Sequence, residues 1–126
     1  MNGTLSMALA ALLQVSTNAS AATPAVDNPL LDSGPDPWIT RDGDVFYYMG
    51  THGDRLAIRA TRDLAHLADA REVTVWRPPA TGANAKSIWA PELHRIDGRW
   101  YIYYTAAAGD APEGQEDAHR GVFVLE

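Results

Sequence analysis

From about Asn28 onward the chain is organised in short apolar runs rather than long periodic ones. Residues 44–50 (DVFYYMG), 55–60 (RLAIRA), 72–76 (EVTVW), 99–106 (RWYIYYTA) and 121–126 (GVFVLE) are rich in aromatic and β-branched side chains, the composition of strands. Turn-forming stretches separate them: RDGD, THGD, RPPATGAN, IDGR and AAGDAPEG. One helical turn is expected in 62–70 (RDLAHLADA), where Leu64 and Leu67 are spaced for it. The faces of the strands say more. In 99–106, Trp100, Ile102 and Tyr104 share one face and Tyr101 and Tyr103 the other; in 44–50, Val45, Tyr47 and Met49 oppose Phe46 and Tyr48. A half-exposed antiparallel strand would alternate apolar with polar. These strands need cover on both sides, as propeller blades give one another.

An internal echo supports that architecture. DPWITRDGDVFYYMGT resembles APELHRIDGRWYIYYTA, with Pro37 on Pro91 and Arg41 on Arg95. A one-residue slip then sets Asp42-Gly43 on Asp97-Gly98, Phe46 on Tyr101 and Tyr48 on Tyr103. Each unit reads proline, short strand, Asp-Gly hairpin turn, aromatic strand. The repeat length suits a propeller, although two hairpins with shared turn chemistry would give the same echo. Propellers use about four to eight four-stranded blades, so the expectation is an all-β chain holding about the first two blades of an incomplete propeller.

Composition narrows the function. The 126 residues carry a formal net charge of -6, which disfavours nucleic acid as a partner, since phosphate binding needs clustered Lys and Arg. There are no cysteines, and His52, His66, His94 and His119 do not form an HExxH-like pair; no metal site or cofactor is expected. The acidic stretch 109–117 lacks the regular ligand spacing of a calcium loop and reads as a solvated hairpin loop. Residues 1–23 read as a signal peptide: MALAALLQV is apolar but too short to span a bilayer, and ASAA fits a cleavage site. No Lys or Arg precedes the run. The mature domain is then 24–126, secreted or periplasmic, with no membrane partner once the leader is removed.

Three stretches together carry a family resemblance: NPLLDSGPDPW, SIWAPELHRIDGRWYIYYTA and HRGVFVLE. The chain resembles the N-terminal part of glycoside hydrolase family 43, its exo-acting arabinofuranosidases and β-xylosidases in particular. The resemblance implies a five-bladed β-propeller and inverting hydrolysis of arabinose- or xylose-containing plant polysaccharides such as arabinan or arabinoxylan. It maps the catalytic general base onto Asp36. It places the general acid and a further Asp in later blades, beyond Glu126, so the 126-residue chain alone is expected to be inactive. The β-fructosidase families share the propeller but set Asn before the catalytic Asp, where this chain has Gly34-Pro35.

The chemistry asks for such a residue independently. Inverting hydrolysis needs one carboxylate to take a proton from water and one carboxylic acid to protonate the leaving oxygen. Pro35 and Pro37 flank Asp36, and a residue before proline is expected to be extended. On its own, GPDP reads better as a turn leading into a strand; the downstream W-A-P-E motif turns the balance to catalysis. Trp89 and Glu92 of the W-A-P-E motif are the candidate substrate contacts, an indole wall for a sugar ring and an acceptor for its hydroxyls. Both also fit structural roles, in the inter-blade core and at a strand end. His52 in GTHGD sits where related enzymes line the pocket, and reads equally as a turn histidine. Trp38 shares a strand face with Asp36, while Trp76 and Trp100 read as core. The alternative to an enzyme is a non-catalytic secreted carbohydrate-binding β domain with Asp36 as a structural residue.

Overall fold

The computed structural model describes residues 26–126; the expected signal peptide and the domain boundary at 24 lie outside them. Seven antiparallel strands form two sheets. The first blade runs β1 (Trp38–Asp42), β2 (Val45–Met49), β3 (Leu56–Thr61) and β4 (Glu72–Trp76), in that spatial order. The second runs β5 (Lys86–Ile96), β6 (Arg99–Ala107) and β7 (Arg120–Leu125). The expected helical turn is a 3-10 helix, Leu64–Asp69, capped by Asp63 and anchored by buried Leu67. A second 3-10 turn, Glu116–His119, begins in the last two residues of the stretch 109–117 expected to be open loop. Among the described residues no helix is long and apolar enough to cross a membrane.

The two-faced strands do what their composition requires. Trp38, Tyr47, Met49, Leu56, Ile58 and Trp76 face the second blade, which answers with Leu93, Trp100, Ile102, Tyr104, Phe123 and Leu125. Tilted aromatic pairs cross the seam, Tyr47 on Trp100 at 5.2 Å and Trp76 on Tyr104 at 5.2 Å. Trp76 and Trp100 are thus core-packed, as expected. The two blades are also stitched by directional bonds, from the β2–β3 loop and β1 of the first to β5 of the second. Gly53 and Ile88 exchange backbone hydrogen bonds of 3.2 and 3.0 Å. Trp38 Nε1 donates to the Leu93 carbonyl at 2.9 Å, and Arg95 reaches both carboxylate oxygens of Asp42 at 2.6 Å.

Hairpin register corrects the expected alignment of the echo. Asp42 pairs with Val45, and Ile96 with Arg99. The turns are therefore Gly43-Asp44 and Asp97-Gly98, at the same offset of 54 positions that separates Pro37 from Pro91. No residue slips: Phe46 corresponds to Trp100 and Tyr48 to Ile102. The two turns differ in kind. Gly43 alone has positive φ, at 61°, as a II′ turn requires, whereas Asp97 and Gly98 are both positive, as in I′. The Asp-Gly dipeptide is a turn only in the second hairpin, and matching it by identity created the slip. β5 is also longer than expected, because two bulges carry it back through the W-A-P-E motif.

The segment before β1 folds over the outer face of the first blade. Tyr48 is buried there, with its hydroxyl against Gly34 and Gly50, and burial raises its pKa above the ordinary 10.0. A Cβ at Gly50 would lie 2.6 Å from that hydroxyl and 3.2 Å from the Pro35 carbonyl oxygen. Gly50→Ala is expected to cost about 1–3 kcal/mol through overpacking. Tyr48→Phe should recover part of the loss, because it removes the nearest clashing atom. Urea unfolding of the two single variants and the double variant checks this; additive effects would contradict the packing account.

Candidate active site

Antiparallel order decides which residues meet. The start of β1, the β2–β3 loop, the β4–β5 loop, the start of β5, the β6–β7 loop and the start of β7 all lie at one end of the blades. The tight hairpin turns lie at the other. Asp36, Thr51, His52, Trp89 and Arg120 therefore share one rim.

Asp36 is exposed, and it is not extended. Its φ is 51°, in the left-handed region. A following proline disfavours the right-handed helical region most strongly, while Asp tolerates left-handed backbone because its short side chain finds local partners. Here both partners come from Thr51. Its N–H donates to the Pro35 carbonyl at 2.9 Å, and its hydroxyl donates to Asp36 Oδ2 at 2.7 Å. The same hydroxyl oxygen accepts from the Ala90 N–H at 2.7 Å. Thr51 thus ties the candidate base in the first blade to the residue after Trp89 in the second.

Trp89 and Glu92 flank an irregular stretch of β5. The register shifts between Lys86 and Trp89 and again between Trp89 and Glu92, and Ser87 and Ala90 have φ of 52° and 46°. Bulges of this kind re-aim side chains near functional sites. Trp89 is 41% exposed. One face of its indole is covered by the Arg120 guanidinium, 3.8 Å from the ring centre, a cation–π contact. Arg120 also donates to the Ser87 carbonyl at 2.7 Å and to Thr105 Oγ1 at 3.3 Å, and so braces the bulge from β7. Glu92 lies farther along β5, where its Oε2 is 3.0 Å from His94 Nε2. His94 in turn packs on Trp38 and Tyr103.

His52 is drawn elsewhere. Its Nε2 lies 3.4 Å from Glu72 Oε2, and it lines a cavity of about 170 Å³ with Ser33, Pro35, Tyr48, Arg59 and Glu72. Asp36, Trp89 and Glu92 do not line that cavity. Burial works to raise the Glu72 pKa, but the Arg55 hydrogen bond at 2.9 Å and the nearby His52 and Arg59 outweigh it, holding the carboxyl below its ordinary 4.5. The described residues contain no His, Asp and Glu cluster able to hold a metal ion. Sequence reasoning passed over Thr51 and Arg120. Arg120 was visible as the one cation opening β7, but Thr51 sits in no motif.

Comparison with known proteins supplies the family. Residues 26–126 match the family model for glycosyl hydrolases family 43. The chain belongs to that family. An extracellular exo-alpha-(1->5)-L-arabinofuranosidase of Streptomyces avermitilis is 39% identical over 110 residues, covering 81% of this chain and 23% of its own length. Its namesake in Streptomyces chartreusis is 44% identical over 87 residues, covering 67% and 26%. The crystal structure of alpha-L-arabinofuranosidase from Lactobacillus brevis superposes with a TM-score of 0.68 at 30% identity, over 77% of this chain and 31% of that one. The chain thus spans about a quarter of the length of the two Streptomyces relatives. Its two sheets are the first two blades of the family's five-bladed propeller, and they do not close a ring.

Glu72 carries a pH prediction. Its folded-state pKa is depressed, so its contribution to stability is present above 4.5 and is lost as pH falls through the lower folded value. In Glu72→Gln, the unfolding midpoint should fall less between neutral pH and pH below 4.5 than in the wild type. An equal fall in both would show that the Arg55 pair contributes nothing in this range.

Proposed function

We propose that this chain supplies the general-base side and part of the sugar pocket of an exported, inverting α-L-arabinofuranosidase acting on arabinose-containing plant polysaccharides. The observation that carries the reading is the placement of an exposed Asp36, hydrogen-bonded by a Thr51 hydroxyl that also accepts from Ala90, on the same rim as the Trp89 platform. Asp36 takes a proton from water as the water oxygen bonds to the anomeric carbon from the face opposite the leaving group. The glycosidic C–O bond breaks, and a carboxylic acid about 6.5–9.5 Å away protonates the leaving oxygen. That acid is expected from a later blade. Trp89 packs against the C–H face of the sugar and Glu92 accepts from its hydroxyls, while His52, held by Glu72 beside a separate cavity, takes no part in this reading. Arabinose is preferred to xylose because the Streptomyces and Lactobacillus brevis relatives are named arabinofuranosidases. Export, with residues 1–23 as leader, is supported by the word extracellular in both Streptomyces names.

The test is a chimera in which residues 26–126 replace the matching region of the Streptomyces avermitilis relative. It should release arabinose from α-(1→5)-linked arabino-oligosaccharides, and Asp36→Ala should lower turnover by about 10²–10⁴-fold, the usual worth of general-base assistance. Undiminished turnover in that variant would remove Asp36 from the chemistry. Binding of arabinan by a folded chimera without turnover would favour the non-catalytic carbohydrate-binding reading. The 126-residue chain alone is expected to release no arabinose from arabinan, since a water-filled half-site cannot hold the sugar in line with the attacking water.

A further inference from the structure

The geometry points to Thr51 as a positioning residue that assigns separate tasks to the two oxygens of Asp36, leaving Oδ1 as the atom that takes the proton from water. The inference rests on the reading of Asp36 as the base. It follows from the protons available at one hydroxyl. Thr51 Oγ1 has one O–H to give and lone pairs with which to accept. The Ala90 N–H can only donate, and it points at Oγ1 from 2.7 Å. The hydroxyl proton is thereby left for its other neighbour, Asp36 Oδ2, also at 2.7 Å. Oδ2 accepts that proton in hydrogen bonding and is held in place. Among the described residues nothing hydrogen-bonds to Oδ1, and Asp36 is exposed, so Oδ1 is the oxygen open to a water molecule.

The bridge also couples the blades at the point of chemistry. Ala90 directs its N–H to Thr51 from a left-handed backbone, φ 46°, within the irregular stretch of β5 that carries Trp89. The Thr51 backbone meanwhile binds the Pro35 carbonyl, one residue before Asp36. One side chain therefore fixes the carboxylate relative to the platform expected to hold the sugar. A hydrogen bond to a charged group is stronger than one between neutral groups, so its loss should be felt in the step that uses the carboxylate.

Two measurements test this. In the chimera, Thr51→Val should lower kcat by about ten- to a hundred-fold while KM changes by no more than about twofold, and Thr51→Ser, which keeps the hydroxyl, should stay within about threefold of wild type. A purely structural role would instead lower the melting temperature and the fraction of active enzyme without separating Val from Ser in kcat per folded molecule. Wild-type kcat in Thr51→Val, with Asp36→Ala inactive, would overturn the inference and leave the base assignment standing. An active Asp36→Ala would remove both. The second measurement does not depend on turnover. By NMR hydrogen exchange on the 126-residue chain and on the chimera, the Ala90 amide should be protected, and should exchange at least about tenfold faster in Thr51→Val but not in Thr51→Ser. An Ala90 amide that exchanges like an exposed loop amide in the wild-type protein would overturn the bridge whatever the activity.

Discussion

The seam between the two blades is the constraint on which the rest of the structure depends. Met49, Leu56 and Ile88 are fully buried there, with Leu93, Ile102 and Tyr104 nearly so. Burial of each such side chain is worth about 1.5–3 kcal/mol. The Asp42–Arg95 pair at the far end is about 38% and 47% exposed, and exposed pairs contribute about 0–1 kcal/mol. Apolar packing thus holds the blades together. The directional bonds set where they stop sliding: the Gly53–Ile88 backbone pair near the rim and the Trp38–Leu93 bond below it. Because β1 and β5 are fixed side by side, Asp36 and Trp89 start their blades at the same level.

The same repeat unit meets different surroundings in its two copies. Met49 and Tyr103 are equivalent under the constant offset of 54, yet Met49 has no exposed surface and Tyr103 is 38% exposed. Met49 faces the second blade. Tyr103 faces away from the first, on the side that also exposes Val122 and Val124. In the five-bladed propeller of the family that side faces the next blade. The aromatic and β-branched composition of both faces, read from 99–106, is therefore explained by blade stacking rather than by a conventional inside and outside.

What the sequence revealed follows from the range of each interaction. Strands and turns rest on local periodicity, so β4 was read to the residue and β2, β3, β6 and β7 to within a residue or two, whereas β1 and β5 were legible only as short strands of the repeat unit. Asp36 and the W-A-P-E motif were legible because they stand in short, rigid, recognisable strings. The backbone of Asp36 was misread, because the rule for residues before proline describes an average and cannot include a hydroxyl 15 positions downstream. Thr51 was missed for the same reason. Its partners are Asp36 and Ala90, 15 and 39 positions away, and nothing in GTHGD announces them. The false slip in the echo had another cause: a Gly-Asp turn and an Asp-Gly turn occupy the same place by different backbone routes, so residue identity misled where register did not.

Backbone conformation separates the two ends of the blades. Among the described residues, four non-glycine residues have positive φ: Asp36, Ser87, Ala90 and Asp97. Asp97 needs no special account, since it occupies a I′ turn at the end away from the rim. The other three all lie at the rim, and each is held by a partner distant in sequence: Asp36 by Thr51, Ala90 by the same Thr51, and the Ser87 carbonyl by Arg120. Each left-handed residue is costly, and such residues persist where the surroundings over-determine them. Here the surroundings are the seam. It fixes the distance between the blades, and only at that distance can one threonine reach both a carboxylate on the first blade and an amide on the second. A core substitution that let β1 drift from β5 would therefore act first on the orientation of Asp36, with no residue at the rim changed.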